Sequence, residues 1–206
     1  MKIIKLSALL TTFLLLTGCI APKSYVDTKH SDITYSDINP VEKKHDINIE
    51  VEFQRNGEIF SRVNKEVMEH VTHTFKSTGI AEIVSQDFNS TVKVTVNNVA
   101  DLSDAASKGF ATGLTLGLAG TTVTDFYEVT IDYISKSGSQ VSKSYQHAIH
   151  TSIGNASAPP IQGAESTTPA VAFGRVVEQV VLKFIKEMQS QNILSMKEQQ
   201  GTVLAI

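Results

Sequence analysis

The chain contains no tryptophan and only one cysteine in 206 residues, and just 7% of its side chains are aromatic. A single cysteine excludes an internal disulfide, so the folded part must be held by packing and hydrogen bonds. Five prolines and twelve glycines are too few for a collagen-like or low-complexity chain. No short window is rich in lysine and arginine, and the formal net charge is -3. A protein that displaces counterions from nucleic-acid phosphates needs a basic patch, so composition excludes nucleic acid as the expected partner. No apolar run approaches the ~20 residues of a spanning helix. What remains, 41% hydrophobic and 19% charged, suits one domain of mixed polarity.

The first residues carry an address. Met1 to Lys5 holds two lysines, Leu6 to Leu16 is a largely apolar run of eleven residues, and Leu16-Thr17-Gly18-Cys19 follows. A basic start, a short apolar run and small residues before a cut make a secretory signal. At a ~1.5 Å rise, that run covers about 17 Å and cannot cross a bilayer core of ~30 Å. The four-residue box resembles the lipobox of bacterial lipoproteins. The resemblance implies a signal peptide over residues 1–18, cleavage between Gly18 and Cys19, a diacylglyceryl thioether on the Cys19 sulfur and an acyl chain on its new amine, with no other cofactor. Ile20 in place of an aspartate after the cysteine implies passage to the outer membrane, with the domain facing the periplasm. Removal of Lys2 and Lys5 with the leader takes two positive charges from -3 and leaves -5.

Residues 19–45 are polar and lack helical or strand periodicity, and they read as the lipidated N-terminus and a flexible tether with a root-mean-square reach of about 25 to 30 Å. Tyr25, Ile33, Tyr35 and Ile38 are the larger apolar side chains in it that are able to dock. The domain proper is expected over 46–191. Ile47, Ile49, Val51 and Phe53 alternate with polar residues, which predicts a strand with one buried face. After Asn56-Gly57, apolar residues recurring from Phe60 to Phe75 predict a helix over about 58–77, ended by Gly79. A short strand over 80–84 follows, and three alternating segments predict strands around Val92–Val96, Tyr127–Tyr133 and Val141–Ile149, the last two joined by a turn through Lys136–Ser139. Residues 152–168 read as a loop. Thr168 as cap and Pro169 at the first helical position open a helix whose stripe runs from Phe173 to Met188.

Strands with one polar face do not suit a doubly covered parallel sheet. The expected fold is therefore α+β, a two-layer sandwich of a mostly antiparallel sheet with two helices on one face. That order resembles, in architecture only and over Asp46 to Met188, the small α/β domains of several outer-membrane lipoproteins, including those that assist lipopolysaccharide assembly or activate peptidoglycan synthases. No motif of either group is present, and no function is carried over.

Residues 108–124 form a glycine-rich insert, in which sixteen consecutive residues between Lys108 and Asp125 are uncharged. Gly109, Gly113 and Gly117 recur every four residues, and Gly120 follows; the stretch reads as a flexible or core-covering connection within the monomer, as a face for self-association or a protein partner, since such small-residue spacing permits close backbone approach, or as a segment lying on the inner surface of the membrane. Read as a strand, the same stretch is long enough for a membrane hairpin. Glu66, His70 and His73 cluster on one helix flank and are weak metal candidates, since such trios arise by chance. His147 and His150, three apart on a strand, face opposite ways. Asp125, Glu128 and Asp132 are the acidic residues nearest to a glycosidase-like set, but Glu128 and Asp132 stand about 13 Å apart along a strand, too far for an acid and base pair. No nucleophile elbow, zinc-protease motif or phosphate loop occurs, so no catalytic residue and no small-molecule substrate is assigned. Residues 192–206 form an apolar C-terminal tail, expected to fold back on the domain or to add a strand elsewhere.

Together these features lead to the expectation of a non-catalytic, membrane-anchored lipoprotein acting as an assembly, scaffolding or regulatory partner in the envelope. The alternatives are a subunit of an outer-membrane secretion or export channel and a divergent periplasmic hydrolase.

Overall fold

The computed structural model describes residues 22–100, 121–154 and 163–195. Its strands are β1 (Lys23–Val26), β2 (His45–Arg55), β3 (Glu58–Ile59), β4 (Ala81–Ile83), β5 (Ser90–Ala100), β6 (Thr121–Ser135) and β7 (Gln140–Ile153), and its helices are α1 (Asn64–Ser77) and α2 (Pro169–Ser190). The seven-stranded sheet has the order β1-β7-β6-β5-β2-β3, with β4 paired to β2. All pairings are antiparallel except β2 with β4 and β2 with β5. This is the expected mostly antiparallel α+β sheet. Ile47, Ile49, Phe53, Val92, Val94, Val96, Val129 and Ile131 are buried on one face, in one cluster with Val67, Val71 and Phe75 of α1 and Val176, Val177, Val180, Val181 and Phe184 of α2. Period two in the strands and period 3.6 in the helices thus direct both helices onto the same face.

The ends of α2 follow from local chemistry. Pro169 opens it, and Thr168 Oγ1 accepts a hydrogen bond from the Val171 amide at 3.4 Å. At the other end Asn192 takes a left-handed conformation (φ 59°), and the Ile193 amide reaches back to the Met188 carbonyl at 3.0 Å. That i to i−5 bond is the signature of a Schellman cap, and it carries Leu194 into the core with no exposed surface. The part of the expected tail up to Ser195 is therefore a cap of the domain, while residues 196–206 lie outside the described residues.

Three expected boundaries are corrected. The helix predicted from about 58 starts at Asn64, because Glu58–Ile59 pairs with Gln54–Arg55 through a turn in which Asn56 and Gly57 both have positive φ (51° and 82°). The Asn64 side chain then accepts from the Phe53 amide at 2.8 Å, tying the first turn of α1 to β2. Thr121–Thr124, expected within the insert, belong to β6 and pair with β7 as far as Ile153. Finally, the segment expected as a tether is folded from Lys23 onward, so the domain begins there and not at Asp46.

Candidate functional site

The N-terminal segment is held to the domain by a series of polar contacts. β1 lies between β7 and an isolated bridge to Thr167: Ser24 and Thr167 exchange both backbone hydrogen bonds at 2.8 Å. The Ser24 and Thr151 hydroxyls bond at 2.8 Å, and Ser24 is fully buried. Beyond β1 the chain turns at Thr28–His30 and Tyr35–Asp37 and descends along α2. Ile38 is buried, and Ile33, Tyr35 and Val41 pack on the core. All four apolar residues singled out in the sequence thus meet the domain, Tyr25 being buried within β1 itself.

Two polar clasps hold this segment. In the lower one, Gln189 of α2 accepts from the Asn39 amide at 2.9 Å and donates to the Asn39 carbonyl at 2.8 Å, while Lys186 Nζ donates to the Asp37 carbonyl at 2.6 Å. The Thr34 amide donates to the Asp37 carboxylate at 2.8 Å, and this bond holds the carboxyl below its ordinary range. In the upper clasp, His30 Nε2 donates to the Gln146 carbonyl at 3.2 Å, with its ring edge-on to His147 at 5.2 Å and to Tyr145 at 6.2 Å. His147 Nδ1 accepts from the Ala148 amide at 2.9 Å and Nε2 donates to Gln179 Oε1 at 2.7 Å, which defines a neutral imidazole with its proton on Nε2. Burial pushes the His147 pKa down. Beside it the Tyr145 hydroxyl donates to Glu187 at 3.0 Å; burial first, and the Glu187 charge second, raise the phenol. Lys143 and Lys183 complete the cluster at 3.9 Å from the same carboxylate.

His150 stands on the opposite side of β7 from His147, as period two requires. Its Nδ1 meets Thr124 Oγ1 at 3.0 Å, and burial lowers its pKa too. Glu66 and His70 approach to 4.0 Å, but His70 leans across the helix pair against Phe173, with its ring over Gly174, whereas His73 is exposed and meets Ser77 at 3.5 Å. A Cβ at Gly174 would lie 2.6 Å from the His70 ring, so this imidazole serves as packing between α1 and α2. Among the described residues no three His, Cys, Asp or Glu side chains group as a metal site. Glu128 and Asp132 lie on the solvent face of β6, opposite Asn97 and Lys93 of β5, alongside a Thr130–Ser144 hydroxyl pair. Asp125 is on the helix side with Tyr127, whose phenol burial and the Asp125 charge raise. The three carboxylates do not converge.

Gly18 and Cys19, and Gly109, Gly113, Gly117 and Gly120, lie outside the described residues. Sequence reasoning missed His30, Asn39, Gln179 and Gln189. Their signal is the pairing itself, between positions remote in the chain. Among the described residues no helix is long and apolar enough to cross a membrane.

No protein-family profile matches the chain, and no curated protein does. Among solved structures it is similar to the dodecamer of a PelC point variant from Paraburkholderia phytofirmans, at 13% identity and a TM-score of 0.35, over 78% of this chain and 93% of that one. It is also similar to a minor lipoprotein from Acinetobacter baumannii, at 9% identity and a TM-score of 0.32, over 75% of this chain and 93% of that one.

Proposed function

We propose that this protein is an acylated lipoprotein of the outer membrane, facing the periplasm, that works as a non-catalytic assembly, scaffolding or regulatory partner. The observation that carries the reading is Leu16-Thr17-Gly18-Cys19 behind a basic start and a short apolar run, in a chain with no other cysteine. The partly and fully buried polar rings of the folded part support the second half of it: His147 is committed to Gln179, Tyr145 to Glu187, and His70 to the helix interface. Each joins one element to another. Mass spectrometry of the membrane fraction tests the anchor: the mature chain is expected to begin at Cys19 and to carry two or three acyl chains, and Cys19→Ala is expected to leave an unprocessed or soluble product. A mature chain with a free thiol eliminates the reading.

A second reading is self-association through the glycine-rich stretch, as in the subunit of an export channel. It is favoured by sixteen uncharged residues placed between two adjacent strands, β5 and β6. Gly113→Leu with Gly117→Leu is expected to abolish an oligomer seen by gel filtration in detergent; a monomeric parent chain ends this reading.

A further inference from the structure

The sheet has two poles, and they differ in character. β2 and β5 run toward one pole and end at Arg55 and Ala100; β6 starts from it at Thr121; β7 returns to it at Ile153; β1 starts from it at Lys23. Both helices begin there, since Phe60 is bonded to Phe53 just before α1 and Thr167 to Ser24 just before α2. Of the six exposed large apolar side chains among the described residues, five lie along a slanting edge on the half of the molecule that ends at this pole: Ile153 (40% exposed) is level with Thr121, Phe126 (49%) and Val99 (39%) stand further along β6, Ile59 (67%) is level with Glu128, and Val171 (48%) is in the first turn of α2. Only Ile134 lies toward the other. The first four sit on β7, β6, β5 and β3, so in the strand order they cross the width of the sheet, with Val99 directly opposite Phe126. Val171 adds the helix layer. Among soluble surfaces, scattered apolar side chains are ordinary, but a concentration at one end marks an interaction site.

The length of chain before β1 says what covers it. Four Cα steps separate Cys19 from Lys23, a reach of at most about 14 Å. The sheet is far longer: β6 alone has 15 residues, roughly 45 Å at a ~3.3 Å rise. A chain acylated at Cys19 therefore has this pole held against the lipid, and the opposite pole, with its Lys136–Gly138 turn, held out of reach. We infer that the apolar belt of Ile59, Val99, Phe126, Ile153 and Val171 rests in the interfacial layer of the same bilayer that takes the acyl chains, so the domain is docked pole-first on the lipid. The inference rests on acylation of Cys19. Charges around the belt are of both signs, with Lys23, Arg55 and Arg62 beside Glu58, Glu66 and Asp125. The belt, and not net charge, is what selects the partner, and binding in this orientation does not depend on anionic lipid. The chain also leaves at Ala100 and returns at Thr121 on this pole, on either side of the glycine-rich stretch.

The test uses the full acylated chain in vesicles of phosphatidylethanolamine and phosphatidylglycerol, with or without brominated acyl chains. Acylation blocks Cys19, so Ile59→Cys, Phe126→Cys and Ser137→Cys each offer one thiol for an environment-sensitive fluorophore. The intact mass is measured first: a free Cys19 thiol there is failure of the acylation reading, and it is told apart in this way from a failure of docking. With the acylated mass confirmed, brominated chains are expected to quench most of the emission at Ile59 and Phe126 and none at Ser137, to the same extent when phosphatidylglycerol is halved. Two results overturn the inference: equal quenching at all three positions, or shielding of Ile59 and Phe126 from aqueous iodide without quenching by bromine, which shows protein covering the pole. Circular dichroism of the labelled chains, whose substituted positions are all exposed, confirms that each is folded.

Discussion

The C-terminal helix and the N-terminal segment lie side by side, and they are held by different forces. α2 buries Val176, Val177, Val180, Val181, Phe184, Ile185 and Met188 completely. At ~25 cal/mol per Å² of apolar surface buried, a stripe of that length is a large contribution to the core. The segment from Lys23 to Lys44 buries less and relies on directed bonds, to Thr167, Gln146, Gln189 and Lys186. Each such bond nets only about 0.5–1.5 kcal/mol. The difference leads to an expectation: α2 opens only with the whole fold, whereas the stretch after β1, held at a few named points, opens at lower cost.

That contrast is open to attack at several points. Phe184→Ala, in the middle of the stripe, is expected to cost about 3–5 kcal/mol and to lower the whole denaturation midpoint in a single transition. A much smaller loss there means that the core is not shared by helix and sheet. Gln189→Ala removes two bonds to Asn39 and is expected to cost about 1–3 kcal/mol. Its mark is selective: hydrogen exchange quickens at Asp37–Asn39 and stays slow in β5 and β6. Uniform acceleration would show that the segment unfolds only with the domain.

Acid provides a gentler probe. His147 and His150 have pKa values below the ordinary 6.5, chiefly through burial, so the unfolded chain binds protons more readily than the folded one. Their contribution to stability is complete above about pH 6.5 and is lost as the pH falls from there toward their folded values. Urea midpoints are expected to drop between about pH 7.5 and pH 5, and His147→Gln with His150→Asn is expected to flatten part of that slope. An unchanged slope in the double variant assigns the effect elsewhere. Least of all should the Lys44–Glu82 pair matter, with 54% and 53% of its side chains exposed at 3.4 Å. Glu82→Gln is expected to change stability by less than about 0.5 kcal/mol.

What the sequence makes legible follows the same division. Strands β2, β5, β6 and β7 and helix α2 each bury one face over many residues, so alternation or a 3.6-residue stripe displays them, and the two-layer arrangement follows. β1 has four residues, Lys-Ser-Tyr-Val, with no period to read, and its partners at Thr151 and Thr167 are remote in sequence. The start of α1 is displaced from its expected place because Phe60 keeps the helical phase yet packs on Phe53 at 6.4 Å from within the hairpin return. The placing of His147 and His150 on opposite faces is readable from strand geometry alone. The commitment of His147 to Gln179 is not, because it requires knowing which turn of α2 crosses β7. The Glu66, His70 and His73 group fails for a related reason: the neighbouring helix brings Gly174 under the His70 ring, while His73 meets Ser77.

The pairing of β1 has a mechanical side. It runs antiparallel to β7 with its first residue, Lys23, at the end of the sheet, and the bonds to β7 and Thr167 lie across the strand direction. Tension arriving through the residues before Lys23 acts along the strand and meets those bonds in shear, all sharing the load at once. A tug from the opposite end of the segment would peel them one after another. The chain is attached in the sense that resists being pulled.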